Sequence, residues 1–117
     1  MQKKVYYLST CNTCKRIMTE LNIGEEFEQQ DIKTDKITAE QLEEMQQLAG
    51  SYEALFSRVA RKYKELNLKE KTLTEDDYKD YILEEYTFLK RPVFIVGEEI
   101  FIGNSKKNVA ALAEKLN

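Results

Sequence analysis

The stretch Lys3-Lys4-Val5-Tyr6-Tyr7-Leu8-Ser9-Thr10-Cys11-Asn12-Thr13-Cys14-Lys15-Arg16-Ile17-Met18-Thr19-Glu20-Leu21 decides how this chain is read. Lys3 to Leu8 is rich in Val and Tyr, which suit a pleated, half-buried surface, and predicts a strand. Ser9-Thr10-Cys11-Asn12 is a short polar turn offering several N-caps. From about Thr13 to Leu21 the apolar positions Cys14, Ile17, Met18 and Leu21 recur at i, i+3, i+4 and i+7, one face of a helix. Asn22-Ile23-Gly24 closes that helix, with Gly24 as its expected C-cap. Glu26 to Ile32 predicts a second strand, charged enough to lie at an edge. Strand, helix and strand within about thirty residues make a right-handed parallel βαβ unit.

Further along, Thr38 opens a helix with Gln41 at the capping-box position, Leu42, Met45, Leu48 and Ala49 on its apolar face, and Gly50 at its end. Ser51 to Leu66 reads as further helix, with Leu55, Val59, Tyr63 and Leu66 three or four apart. Thr74-x-x-Asp77 starts another, carrying Tyr78, Tyr81 and Ile82. Pro92 cannot donate to a ladder and belongs at the head of a strand. Val93-Phe94-Ile95-Val96 is the continuous apolar run of a strand buried on both faces. Gly97-Glu98-Glu99 is a tight turn, and Ile100-Phe101-Ile102 returns as the hairpin partner. Gly103-Asn104-Ser105 leads into a last helix buried along Val109, Leu112, Ala113 and Leu116.

The predicted order is thus β-α-β, a helical middle, then β-β-α. The expected fold is α/β and thioredoxin/glutaredoxin-like: a four-stranded mixed sheet with an inserted helical segment at about 38–85, all within a single domain, 1–117. At 117 residues and 42% hydrophobic content, one domain can bury one core without staples. No Gly/Ser/Pro-rich linker or internal repeat divides it.

Charge excludes some function classes. The net charge is −3, with both signs interspersed among the 33% of residues that are charged. No basic block marks a nucleic-acid footprint; Arg58, Arg61, Lys62 and Lys64, flanked by Glu53 and Glu65, read as a solvated face. The apolar stretch near Met1 stops after four residues, short of the about 7–15 of a signal h-region, and no run reaches the ~18 of a membrane span. A soluble, cytoplasmic protein that binds neither nucleic acid nor membrane is expected. Two cysteines in such a chain are not a disulfide framework.

The chemistry therefore concentrates on Cys11 and Cys14. At a helix N-terminus, unpaired backbone N–H groups and the helix dipole favour a thiolate, and Lys15, Arg16 and Arg91 are expected to add positive potential. Cys11 is the predicted nucleophile. Cys14, one turn further on and beside Ile17 and Met18, is predicted to be more buried and to act as the resolving thiol. Two other readings stay open. Cys14 can be an inert core residue, since free Cys packs as a small hydrophobe. A zinc site would need two chains to share it, because this chain has no His and no third Cys; no metal is expected. In a thioredoxin-type fold the Pro at the head of the third strand is usually cis and sits beside the reactive cysteine, so Pro92 is expected to aim the Arg91 backbone at a substrate. An ordinary trans Pro is the alternative.

Nearly the whole chain resembles the glutaredoxin-like arsenate reductase (ArsC) family, which also contains the Spx-type redox regulators. The likeness rests on Cys11-Asn12-Thr13-Cys14-Lys15, on Leu55-Phe56-Ser57-Arg58 before Tyr63-x-x-Leu66, and on Glu85-Tyr86-Thr87-Phe88-Leu89-Lys90-Arg91-Pro92-Val93. The resemblance implies a Cys11 thiolate that attacks arsenate, and an adduct resolved by an external thiol reductant: glutathione, a glutaredoxin or thioredoxin. No bound cofactor is implied. Three arginines hold the oxyanion in such enzymes. Arg91 matches one, Arg58 lies in the region of another with Arg61 competing, and Gly103-Asn104-Ser105 has no arginine where the third would fall. Lys106 or Lys107 would offer only a point charge there. The missing arginine weighs against arsenate. The second cysteine points to a dithiol mechanism or a redox switch.

Two functions follow, beside the blander reading of a thioredoxin-fold scaffold without turnover, since fold does not fix function. One is a thiol-dependent oxidoreductase acting on a small oxyanion or disulfide, with Cys11 and Cys14 catalytic and Arg91, Arg58 and Pro92 binding substrate. The alternative is a Spx-like transcriptional regulator that binds the RNA polymerase α subunit, with Cys11–Cys14 as its switch.

Overall fold

In a computed structural model the chain is described over residues 2–117; Met1, part of the predicted domain, lies outside the described residues. Backbone contacts divide the chain into two compact units. The first comprises the chain up to Asp35 together with Arg91–Asn117, and the second is Lys36–Lys90.

The first unit is a sheet carrying two helices. Its elements are β1 (Lys3–Tyr7), α1 (Asn12–Glu20), β2 (Glu28–Asp31), β3 (Val93–Val96), β4 (Glu99–Ile102) and α5 (Lys106–Leu116). The strand order is β2-β1-β3-β4. β1 pairs with β2 in parallel, setting Val5 opposite Gln29 and Tyr7 opposite Asp31. β1 pairs antiparallel with β3, and β3 with β4. This is the mixed four-stranded, thioredoxin-like sheet expected from the element order. β3 is central and buried at all four positions, which explains its unbroken apolar run. β2 lies at an edge, where the exposed Glu28 and Gln29 are tolerated.

One core cluster of this unit gathers Val5, Phe94, Val96 and Phe101 from the strands with Ile17 of α1, Leu112 of α5, and Phe27. Met18, Leu21, Val109 and Leu116 pack against it, so the helical periodicities identified the buried faces. Phe27 meets Phe94 edge-on, with ring centroids 5.8 Å apart. The end of α1 departs from expectation. Leu21, not Gly24, is the C-cap, and Asn22 takes the left-handed conformation at φ 55°. Asn tolerates that region, so Gly24 is not needed there. β2 is also shorter than Glu26–Ile32. Phe27 N–H closes a turn on the Gly24 carbonyl, and Thr34 and Asp35 N–H turn back to Asp31 O.

The second unit is helical: α2 (Ala39–Ala49), α3 (Arg61–Glu65) and α4 (Glu75–Glu84), joined by short 3₁₀ turns. α2 begins with the predicted Thr38/Gln41 capping box and ends at Gly50, whose φ of 97° suits glycine. α4 begins with the Thr74/Asp77 box. The helix expected over Ser51 to Leu66 does not form as one piece. A 3₁₀ turn at Glu53–Leu55 gives way to extended backbone, and helix resumes only at Arg61. Phe56 forms a β-bridge with Leu89, Ser57 N–H donates to Phe88 O, and Lys90 N–H donates to Leu55 O. Those bonds occupy backbone groups that a helix would have used. Phe56 stacks on Phe88 at 5.0 Å and lies against Tyr78 at 4.9 Å. Val59, counted as apolar in the expected periodicity, is 93% exposed.

Among the described residues no helix is long and apolar enough to cross a membrane.

Candidate functional site: the Cys11–Cys14 pair

The turn after β1 delivers Cys11 to the N-cap of α1. Cys11 N–H donates to Leu8 O at 2.9 Å, closing the turn, and Cys11 O accepts from Lys15 N at 3.2 Å, starting the helix. Cys11 has extended backbone angles (φ −95°, ψ 109°), as an N-cap residue does. Its sulfur therefore sits among first-turn N–H groups that have no partner within the helix.

Cys11 is partly exposed and Cys14 is buried, both as free thiols. Burial opposes ionisation of Cys11. It is outweighed by hydrogen bonds from the Cys14 N–H and the Cys14 thiol, by the Arg91 charge and by the Thr13 N–H, which together hold the Cys11 thiol below its ordinary pKa. Cys14 moves the other way. Burial pushes it up to about 12, the Cys11 sulfur adds to the rise, and a hydrogen bond from the Leu8 backbone and the Arg91 charge offset only part of it. One thiol is thus poised to ionise, and the other holds its proton directly beside it.

The predicted residues separate as follows. Cys11, Cys14, Arg91 and Pro92 fall in the sheet unit, and Arg91 supplies the cationic charge that weighs on both sulfurs. Arg16, also expected to act on Cys11, is turned to Glu20 at 4.0 Å. The Arg91–Pro92 bond is cis, the conformation expected at the head of β3, and Pro92 O accepts from Gly103 N at 2.9 Å. Arg58 belongs to the helical unit. Its Nη2 donates to Glu53 Oε2 at 2.8 Å and to the Tyr78 hydroxyl at 3.1 Å, and its guanidinium lies over the Tyr78 ring. Arg61 is exposed at the start of α3.

Sequence reading passed over Asp31. This carboxylate closes β2 and accepts from the backbone N–H groups of Ser9, at 3.3 Å, and Lys33, at 3.2 Å. Burial raises its pKa, but those bonds and others from the Ser9 and Thr34 hydroxyls outweigh it and hold the carboxyl below its usual range. No local spacing could have found it, because Asp31 meets Ser9 only through the β1–β2 register.

The two free thiols stand one helical turn apart, the partly exposed one held below its ordinary pKa and the buried one raised. A model of the ArsC family matches residues 6–112. An uncharacterized protein of Bacillus subtilis, YusI, is 28% identical over 107 residues, 88% of this chain and 91% of that protein. The crystal structure of an ArsC family related protein from Bacteroides fragilis covers 100% of this chain and 98% of its own, at 27% identity and a TM-score of 0.78. An arsenate reductase from Vibrio cholerae shares the fold at a TM-score of 0.79 and 21% identity, over 95% of this chain and 97% of that one. With the family match running from within β1 into α5, the chain belongs to the ArsC family, a family of thiol-dependent redox proteins.

Proposed function

We propose that the protein is a dithiol oxidoreductase in which Cys11 is the nucleophile, Cys14 the resolving thiol and Arg91 the group that favours the thiolate and an anionic substrate. The observation that carries this reading is the opposite tuning of two sulfurs in hydrogen-bond contact: Cys11 lowered, Cys14 pushed up to about 12.

With a disulfide substrate, the Cys11 thiolate attacks one sulfur and expels the other as a thiolate, leaving a mixed disulfide. Cys11 then carries no charge and accepts no proton from Cys14, so two of the effects that raise Cys14 disappear. Cys14 loses its proton more readily, attacks the Cys11 sulfur and releases the second thiol. The substrate has gained two electrons, and the protein has become the Cys11–Cys14 disulfide. An external reductant, glutathione, a glutaredoxin or thioredoxin, returns it to the dithiol. Arsenate is the oxyanion the family resemblance suggests. Cys11 would displace hydroxide from As(V), and attack of Cys14 on the Cys11 sulfur would release arsenite with the electron pair.

The test is turnover of a glutathione mixed disulfide and of arsenate, with electrons supplied by glutathione or by a thioredoxin system. Turnover by the wild type and its loss in Cys11→Ser are expected. Full turnover by Cys11→Ser, or none by the wild type with any of these pairs, overturns the reading.

A further inference from the structure

We infer that Asp31 is a positioning residue for Cys11: it anchors the turn that holds the sulfur against the helix N-terminus. This rests on the proposed role of Cys11 as nucleophile.

The turn between Leu8 and Cys11 connects the backbone groups that hydrogen-bond the two sulfurs. At one end Leu8 donates its N–H to Cys14 and accepts from Cys11 N–H. At the other, Cys11 receives the N–H groups of Thr13 and Cys14. Ser9 lies between them, and its side chain and backbone both reach Asp31. Asp31 is itself held firmly. It pairs with Tyr7 in the β1–β2 register, Ile32 N–H donates to Tyr7 O at 2.9 Å, and Asp31 O accepts from Asp35 N at 2.8 Å. The end of β2, tied to β1 by its register, therefore holds the middle of the loop between Leu8 and Cys11. Nucleophile geometry is sensitive to such support, since donors aimed at a sulfur act only at hydrogen-bond distance.

Charge and position predict opposite signs, which makes the idea testable. Removing a carboxylate from the neighbourhood of a thiol lowers the thiol pKa at any distance, because one negative charge is gone. Releasing the turn raises it, because Cys11 loses its donors. Arg91 and Cys14 are the charged and titratable groups that act on Cys11, and neither is altered by these variants.

The experiment measures the pH dependence of Cys11 alkylation by iodoacetamide in the full chain, beside thermal unfolding of each variant. Asp31→Ala is expected to raise the Cys11 pKa by about one unit, roughly a tenfold loss of thiolate below that pKa. Asp31→Asn keeps an acceptor oxygen and discards the charge; it is expected to match wild type or fall slightly below it. Ser9→Ala, which keeps the Ser9 N–H bond to Asp31, is expected to shift the pKa up by less. An unchanged or lowered pKa in Asp31→Ala overturns the inference, as does an equal rise in Asp31→Asn. If Asp31→Ala does not fold, Ser9→Ala decides, and an unchanged profile there overturns it. Failure of the proposed function reads differently: wild-type Cys11 would itself titrate as an ordinary thiol.

Discussion

Cys14 donates its thiol proton to the sulfur of Cys11, one helical turn before it. The bond joins a partly exposed residue to one that is fully buried. It stabilises the Cys11 thiolate and, by the same interaction, discourages ionisation of Cys14.

Cys14→Ala removes the donor and is therefore expected to raise the Cys11 pKa toward that of a free thiol, about 8.5. Absorbance of the thiolate against pH checks this. A Cys11 titration identical to wild type would mean that the Cys14 thiol contributes nothing.

Cys14→Ser leaves Cys11 able to attack but leaves nothing to resolve the adduct. Incubation with oxidised glutathione should trap a protein carrying one glutathionyl group, visible by intact mass, whereas the wild type proceeds to the internal disulfide. Absence of the trapped species would remove Cys14 from the resolving role.

Arg91→Ala is expected to raise the Cys11 pKa, because the guanidinium favours the thiolate. It should also raise KM for an anionic substrate more than for a neutral disulfide. Equal KM changes for the two substrates would show that Arg91 acts only through the sulfur.

Stability of the reduced protein should depend on pH in two opposed ways. Cys11 is lowered in the folded state, so its contribution is present above the unfolded thiol value and is lost as pH falls through the folded one. Cys14 is raised to about 12, so its contribution is complete below the unfolded value and is lost as pH rises toward 12. Urea unfolding at successive pH values should show a decline above about pH 8.5 in the wild type that Cys14→Ala lacks. A parallel decline in both would assign it elsewhere.

Phe94 is 1% exposed at the centre of the sheet and meets Phe27 edge-on. Phe94→Ala should cost about 3–5 kcal/mol of stability. Thr38→Ala, which breaks one capping box, should cost about 1 kcal/mol. Chemical denaturation measures both, and a reversed order would contradict the packing described for β3.

Local pattern carried much of this fold. The Cys11 turn, the buried stripe Ile17, Met18 and Leu21, both capping boxes and the apolar β3 were legible because periodicity and capping act within a few residues. The helix expected over Ser51 to Leu66 failed for the complementary reason. Leu55, Val59, Tyr63 and Leu66 are spaced for a helix, yet the bridge from Phe56 to Leu89, 33 positions away in sequence, claims the backbone between them. Spacing cannot report a partner that arrives only when the chain closes on itself.

The cysteine pair divides along the same line. Cys-x-x-Cys at a strand-to-helix junction placed Cys11 at the helix N-terminus and Cys14 one turn on in the buried interior, since the helix N-terminus is a local property. How far the two thiols diverge depended on burial of Cys14 and on the charge of Arg91, brought in from the head of β3; the contact of Asp31 with Ser9 likewise exists only through strand pairing. Burial, electrostatic fields and cross-strand hydrogen bonds are set by groups distant in sequence and near in space, and only folding brings those together.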